Sequence, residues 1–294
     1  HISTGPEQTV EQFQNLQVSK LTEGSQIVIL SLEIHFQGNL FSRFFLGNEF
    51  PSYDCVTKNL RYFRIAQTNY NMKILIAPDK FKGSLSAQNV CIALSKGLEK
   101  SNTNLEITTR PMADGGDGSL EVLAHHIDLK TITVEVDDPL FRPINASYKM
   151  ADKTAYIEMA AASGLALLKE TERNCMETSS FGTGELILDA ISKGATTIYL
   201  FIGGSATNDA GMGIASALGW CFYSKSGELL VPIGENLTEV SRIDSEFLFY
   251  NPEKVKFKVI CDVNNPFYGE NGAAYVYAPQ KGATAKEVKI LDEG

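Results

Sequence analysis

The sequence predicts an α/β fold built on a mostly parallel, doubly wound sheet with helices on both faces. From residue 72 onward, short apolar runs typical of buried strands alternate with segments of helical spacing. The first strand is predicted over residues 73–78, a helix over 86–100 and a second strand over 105–109. Such a strand–helix alternation favours parallel strands, because each crossover helix returns the chain to the same end of the sheet.

Two prolines, Pro139 and Pro143, interrupt this alternation, because proline resists regular backbone structure. We therefore predict a boundary between a Rossmann-like α/β domain, residues 72–137, and a second α/β domain, residues 138–294, with glycine-rich substrate or phosphate loops. Further elements are predicted as a helix over 118–126, strands over 131–136, 156–159, 197–202 and 255–261, and helices over 185–193, 210–218 and from 284 onward.

Residues 1–71 differ in character from the rest of the chain. They contain many aromatic residues without a steady period of 2 or 3.6, and their helix caps and turn signals are weak. We interpret this stretch as an atypical extension. It is either a foreign addition to the natural sequence, a disordered tail or an appended subdomain.

The bulk composition is that of an ordinary globular protein with a negative charge. Of the 294 residues, 44% are hydrophobic and 21% charged, a balance typical of soluble domains, and the formal net charge is −9. This charge argues against broad contact with nucleic acid or an anionic membrane but allows small anionic ligands. No segment has the apolar length of a membrane helix. The five cysteines are scattered without a C-x-x-C pair, which indicates reduced thiols and predicts a cytoplasmic protein.

The most informative segment is a polar loop between the predicted strand 197–202 and the predicted helix 210–218. It consists of Gly203, Gly204, Ser205, Ala206, Thr207, Asn208 and Asp209. Glycine lets backbone N–H groups approach an anion, and the hydroxyl and amide side chains add donors. A helix N-terminus pointing at the loop would complete a cradle for phosphate or carboxylate. The alternative is a tight strand-to-helix turn with a polar cap.

A second polar cluster follows the first predicted strand and contains Asp79, Lys80, Lys82 and Ser84. Lysines balance phosphate charge, and an aspartate can bind Mg²⁺ or water, so this loop suits a phosphate and its metal. The alternative is a solvated loop in which Ser84 or Ser86 caps the next helix.

A third cluster, residues 112–119, places Asp114 and Asp117 among three glycines. Two carboxylates at this spacing could bind Mg²⁺ through waters or orient a hydroxyl for deprotonation. The alternative is a glycine-rich turn in which Asp117 is a helix N-cap, and both descriptions can hold together.

Three more candidates stand in the second predicted domain. Asp262 directly follows a predicted strand, and this is a common position for a residue that binds a metal or a hydroxyl group. Lys281 is either a surface lysine or a ligand contact. Glu158 precedes an alanine-rich helix start, so it is either part of a capping arrangement or a substrate contact.

Several common catalytic motifs are absent from the sequence. There is no Walker A loop, no G-x-G-x-x-G after the first strand, no protein-kinase motif set and no G-x-S-x-G elbow. These absences argue against P-loop enzymes, dinucleotide-dependent oxidoreductases and serine hydrolases.

Seven segments, taken in order, resemble the bacterial-type glycerate kinases, the glycerate 2-kinase family typed as family 1. The segments are IAPDKFKGSLSA (76–87), MADGGDGS (112–119), IEMAAASGL (157–165), TSSFGTGELI (178–187), IGGSATNDAGMG (202–213), CDVNNPFYGENGAA (261–274) and APQKGA (278–283). The resemblance covers residues 72–294. The extension is foreign to the family, and the family continues with a GAGAAGG loop and a TGEGR segment, which points to C-terminal truncation.

The resemblance implies ATP-dependent phosphorylation of D-glycerate to 2-phosphoglycerate with Mg²⁺. It also implies two α/β domains with the site in a cleft between them, part of the first domain being supplied by the later residues. Catalytic roles would fall to Asp79, Lys80, Asp114 and Asp209, and metal binding to Asp79, Asp114 and Asp262. The other binding residues would be Lys82, Ser84, Asp117, Glu158, Gly203, Gly204, Ser205, Thr207, Asn208 and Lys281.

Three alternatives from other classes stay open at this point. A catalytically incomplete fragment or pseudoenzyme would bind a small acid or nucleotide without transfer. An oxidoreductase on a similar sheet would bind NAD(P). A purely structural α/β module leaves unexplained why Asp, Lys, Ser and Asn concentrate at successive strand ends.

Overall fold

The computed structural model describes residues 27–30, 34–36, 39–41, 72–81, 84–101 and 105–294. Apart from three short strands, the predicted extension over residues 1–71 lies outside the described residues, and so does Lys82. The chain divides into two compact units, His1–Ala113 and Asp114–Gly294.

The first unit contains a small parallel sheet with one helix packed on it. Its elements are β1 (Ile27–Leu30), β2 (Ile34–Phe36), β3 (Asn39–Phe41), β4 (Met72–Ile76), helix α1 (Ala87–Ser101) and β5 (Leu105–Thr109). The sheet order is β1-β4-β5 with both pairings parallel, while β2 and β3 form an antiparallel pair. The predicted strands at 73–78 and 105–109 and the helix at 86–100 are thus confirmed.

Helix α1 covers the first-unit sheet because its apolar face matches the strand side chains. Ile74 and Ile76 of β4 pack with Val90, Cys91 and Leu94 of the helix, and all five are buried. Burial raises the pKa of the Cys91 thiol to about 11, which keeps it protonated at neutral pH.

The second unit is built around a mixed five-stranded sheet. Its elements are helix α2 (Ser119–Leu123), β6 (Lys130–Asp137), β7 (Pro143–Ala151), β8 (Thr154–Glu158), α3 (Ala160–Ser163), α4 (Phe181–Ser192), β9 (Thr197–Phe201), α5 (Met212–Ala217), β10 (Cys221–Tyr223), β11 (Arg242–Asp244), β12 (Lys256–Ile260), α6 (Ala273–Tyr277) and α7 (Ala285–Glu293). The sheet order is β12-β9-β8-β7-β6, in which β12, β9 and β8 are parallel and β7 and β6 antiparallel.

The three parallel strands of this sheet end at one edge. Glu158 pairs with Phe201, and Ile260 pairs with Phe201 on the other side. The loops that follow these three residues therefore start from neighbouring points. Open α/β sheets place ligands at such carboxyl ends of parallel strands.

The structure differs from the predicted domain boundary at residues 137/138. Strand β6 pairs along its whole length with β7, from Lys130 with Met150 to Asp137 with Pro143, so both belong to the second unit. The sequence reasoning missed β7 because Pro143 indicated a break. Proline is accepted as the first residue of a strand, which is where it lies.

The core of the second unit lies between the sheet and helix α4. Leu186, Ile187 and Ala190 of α4 pack with Ile157 of β8 and Ile198 of β9, all fully buried. Fully burying side chains of this size stabilises the fold by roughly 1.5–3 kcal/mol each. The segment that begins α4 is thereby fixed against the strand ends.

Helix α4 also crosses α5 at close range, and this crossing needs a glycine. A Cβ atom added at Gly184 would lie 2.6 Å from the Cβ of Ala217 and 2.7 Å from the carbonyl oxygen of Ile214. Both neighbours belong to α5, so any side chain here would push the two helices apart.

We expect Gly184→Ala to lower the free energy of unfolding by about 1–3 kcal/mol, because overpacking forces the helices to shift. Urea unfolding followed by circular dichroism measures this. Ser192→Ala, at the exposed end of the same helix, is the matched control and should change stability by less than about 0.5 kcal/mol. Equal stability of the two variants would contradict the packing described for Gly184.

Candidate active site

The glycine loop, residues 203–209, follows β9 at the carboxyl edge of the parallel strands. Backbone hydrogen bonds attach it to the segment after β8: Leu165 N donates to Gly204 O at 2.9 Å, and Ala206 N donates to Ser163 O at 2.8 Å. The buried hydroxyl of Thr178 donates to Ala206 O at 3.1 Å. The segment after β8 and the segment that contains Thr178 therefore both hydrogen-bond to the loop, and these bonds fix its shape.

A second loop, residues 114–118, lies directly against the glycine loop. Gly203 N donates to Gly115 O at 3.3 Å. A Cβ atom on Gly203 would meet Gly116 Cα at 2.5 Å, so only glycine allows the two backbones to come this close. Gly204 has a φ of 77°, and a Cβ there would lie 3.6 Å from Asp117 Oδ1. The structure thus brings Asp117 beside the glycine loop.

Two carboxylates of the predicted site stabilise loop 114–118. Asp114 Oδ1 accepts a hydrogen bond from Gly116 N at 2.8 Å, and Glu158 Oε1 accepts one from Leu120 N at 2.7 Å. Leu120 lies in the first turn of α2, so Glu158 caps this helix from a neighbouring strand end. Asp117 is not the N-cap: that position is Gly118, which has no side chain of its own to cap the helix.

Asp209 lies at the base of the glycine loop, where it is 2% exposed. Its Oδ2 accepts hydrogen bonds from Ser180 Oγ at 2.6 Å, Ser180 N at 2.8 Å and Gly213 N at 3.1 Å. Its Oδ1 accepts from Gly211 N at 3.2 Å. The amides at the start of α5 therefore point at Asp209 and are not directed at a ligand. This geometry favours the polar-cap interpretation for Asp209 over a catalytic one.

Lys281 reaches the glycine loop from the turn after α6. Its Nζ donates to Thr207 O at 2.6 Å and to Ser205 Oγ at 2.7 Å. Burial lowers the pKa of Lys281 to about 8, while the thiol of Cys175 and the carboxylate of Asp209 act in the opposite direction. The alternative of a solvated surface lysine does not describe this side chain.

Some donor hydrogens at this loop have no acceptor among the described residues. Two N–H groups of the Lys281 ammonium are used, which leaves one without a partner among the described residues. Ser205 Oγ accepts from Lys281, so its own proton can be donated. Asn208 Nδ2 is buried and has no hydrogen-bond partner within the part of the chain that the structure describes. An anion bound beside the loop could accept from the Lys281 ammonium and the Ser205 hydroxyl.

Asp262 follows β12 at the same edge and is exposed. The carbonyl oxygen of Ile260, the last residue of β12, lies 3.1 Å from the Cβ position of Gly115, so the end of β12 borders loop 114–118. Among the described residues, no three His, Cys, Asp or Glu side chains are grouped so as to hold a metal ion. Mg²⁺ is commonly bound through one or two carboxylates plus substrate phosphates, and exposed Asp114 and Asp262 fit this mode of binding.

The remaining predicted residues lie in the first unit, at the carboxyl end of β4. Asp79 Oδ1 accepts a hydrogen bond from Lys80 N at 2.6 Å, and Ser84 is exposed. Ser86 provides the cap of α1, because its Oγ accepts from Asn89 N at 3.3 Å. The strand-end placement predicted for Asp79 and Lys80 is therefore observed within this unit.

Sequence reasoning missed a group of buried hydroxyls that supports the site. Ser163 Oγ and Thr183 Oγ1 are 2.7 Å apart, Thr178 binds the glycine loop, and Ser180 binds Asp209. All four are fully buried. The run Thr178-Ser179-Ser180 directly before a helix is a capping signal that could have indicated them.

These strand-end loops match a known family. The sequence profile of the Glycerate kinase family matches residues 74–294. The chain belongs to this family.

Relatives and a solved structure agree with that membership. A Halalkalibacterium halodurans protein named glycerate kinase is 43% identical, and the Escherichia coli protein named glycerate 2-kinase is 42% identical, each over 75% of this chain and 58% of the relative. A Synechocystis protein without assigned function is 47% identical over 76% of this chain and 59% of its own length. A Salmonella typhimurium LT2 crystal structure of a protein assigned as glycerate kinase 2 is 40% identical, with a TM-score of 0.64, and covers 76% of this chain and 60% of that one.

This glycerate kinase family member thus spans about three-fifths of the length of the curated relatives it matches. None of the helices in the described residues has both the length and the apolar character needed to cross a membrane.

We expect Asp209→Asn to lower the free energy of unfolding by about 2–3 kcal/mol, because an amide cannot accept from all the donors that face the carboxylate. Thermal and urea unfolding measure this. Asp262→Asn, at an exposed position of the same sheet edge, is the matched control and should leave stability within about 0.5 kcal/mol. Unchanged stability of Asp209→Asn would show that the carboxylate is not a structural cap.

Proposed function

We propose that this protein transfers the γ-phosphoryl group of ATP to D-glycerate and forms 2-phosphoglycerate, with Mg²⁺ bound to the nucleotide, in the cytoplasm. The observation that carries the proposal is the Lys281 ammonium, which bonds to Ser205 and Thr207 of the glycine loop at the end of the parallel strands. Family membership and a relative named glycerate 2-kinase support this choice of reaction.

Phosphoryl transfer requires neutralised phosphate charge and an aligned hydroxyl. We assign charge neutralisation to Lys80 and Lys82 in the loop after β4, and anion binding to the glycine loop and Lys281. Ser84 would add a hydroxyl donor to the phosphate. Asp79 remains a candidate for binding Mg²⁺ or orienting the substrate hydroxyl.

The carboxylates of the second unit divide into two groups by exposure. Asp114, Asp117 and Asp262 are exposed at the strand edge, so they can contact substrate or Mg²⁺. Mg²⁺, when bound with the nucleotide, would offset negative charge on the phosphates. We propose Asp114 as the residue that orients and deprotonates the acceptor hydroxyl, Asp117 and Glu158 as residues that shape the acceptor site, and Asp209 as structural.

The alternative is a catalytically incomplete chain that binds a small acid or nucleotide without transfer. The shared length is the reason to test it, because about two-fifths of each relative's length lies outside the part that this chain matches. Site residues contributed by that remainder would be needed for turnover.

The deciding experiment is a coupled ADP-release assay with D-glycerate, ATP and Mg²⁺. It compares the 294-residue chain with a version extended to the length of its relatives. Turnover by both would support the proposed function. Turnover by the extended version alone would support the incomplete-chain alternative, and turnover by neither folded protein would contradict the kinase assignment.

We expect Asp114→Asn to lower kcat by about a hundredfold or more in the active form, because a positioned general base contributes about 10²–10⁴ in rate. Steady-state kinetics with D-glycerate measure this. The matched control is Asp128→Asn, which is exposed between α2 and β6 and should leave kcat unchanged. A near-normal kcat in a folded Asp114→Asn protein would remove Asp114 from this role.

A further inference from the structure

Among the described residues, one cation, Lys281, is bonded to the glycine loop. The carboxylates of Asp117 and Asp209 lie on two sides of the loop. We propose that this loop and Lys281 form the subsite for the carboxylate of the acceptor, so that the nucleotide phosphates bind elsewhere. This inference rests on the proposed function, because it assigns one of the two substrates of that reaction to a particular loop.

The donor arrangement suits a small planar anion. Lys281 Nζ lies 2.7 Å from Ser205 Oγ and 2.6 Å from Thr207 O, so the ammonium is fixed in place by the loop itself. The remaining N–H of this ammonium and the Ser205 proton are the two donors available to a ligand beside the loop. A carboxylate has two acceptor oxygens, one for each of these two donors.

The charge balance favours one negative charge over several. Asp117 borders Gly204 on one side, and buried Asp209 ends the loop on the other. A triphosphate would meet two carboxylates and a single ammonium here, and like charges at such short range are strongly unfavourable. A monocarboxylate requires one cation, and Lys281 supplies it.

The same arrangement would orient the rest of the acceptor. With its carboxylate on the glycine loop, a short hydroxy acid would direct its hydroxyl groups toward loop 114–118, because that loop contacts Gly203 and places Asp117 at Gly204. The hydroxyl that receives the phosphoryl group would then lie on the side of the exposed carboxylates.

Binding of the acceptor should weaken as the pH rises through the pKa of Lys281, about 8. Burial lowers this pKa, and Asp209 and Cys175, the titratable groups that act on Lys281, oppose the shift. Burial raises the pKa of the Cys175 thiol, so its loss of a proton is moved to higher pH. The ammonium is therefore the group whose charge changes in this range.

The test is calorimetric titration with D-glycerate, with Mg-ATP and with glycerol, which lacks the carboxylate. It uses this chain and the version extended to family length, and compares Lys281→Met with Lys286→Met. Lys286 is exposed on α7 and provides the matched control. We expect Lys281→Met to raise the Kd for D-glycerate about tenfold or more while the Kd for Mg-ATP stays within about threefold. Lys286→Met should change neither, and glycerol should not bind.

Two further arms keep the result interpretable if Lys281→Met does not fold. Ser205→Ala should weaken D-glycerate binding selectively, and the unaltered protein should lose D-glycerate affinity between pH 7 and 9 but retain Mg-ATP affinity. Loss of Mg-ATP binding with D-glycerate binding intact would overturn the subsite, and so would insensitivity of both. Failure of both unaltered proteins to bind D-glycerate at all would overturn the proposed function itself.

Discussion

The candidate site depends on one buried carboxylate, that of Asp209. A buried charge is strongly unfavourable unless hydrogen bonds replace its lost water, and four donors from Ser180, Gly211 and Gly213 do so here. These bonds join the starts of α4 and α5 to the end of the glycine loop. The loop therefore keeps its shape without a ligand, because two helices and a strand define it.

The second constraint is the close approach of two backbones. A Cβ atom on Gly203 would clash with Gly116 Cα at 2.5 Å, and β9, which leads into Gly203, ends in register with β8. This contact places the Asp117 carboxylate within reach of an anion on the glycine loop. A site with donors on one loop and carboxylates on the next suits a substrate that has an acid group at one end and hydroxyls at the other.

Local patterns predicted the strands and the loops after them, because apolar runs and glycine clusters are properties of neighbouring residues. Asp209 was ambiguous in sequence, since a helix cap and a catalytic aspartate look alike until burial is known. Lys281 is 76 positions from its partner Ser205, so no local pattern could indicate the contact. The β6–β7 pairing was missed because Pro143 was given more weight than the strand pattern around it.

The unpartnered donors of the site have an energetic consequence. Asn208 Nδ2 is a buried donor without an acceptor among the described residues, and such a donor costs about 1–3 kcal/mol of stability. Burial of Lys281 is also unfavourable to its charged form, which is why it lowers the pKa of this side chain. The fold tolerates both because the sheet core and the Asp209 network are independent of them. An anion bound to the Lys281 ammonium would stabilise the charged form of this buried side chain, so the group whose burial is unfavourable is the one that would give the ligand its affinity.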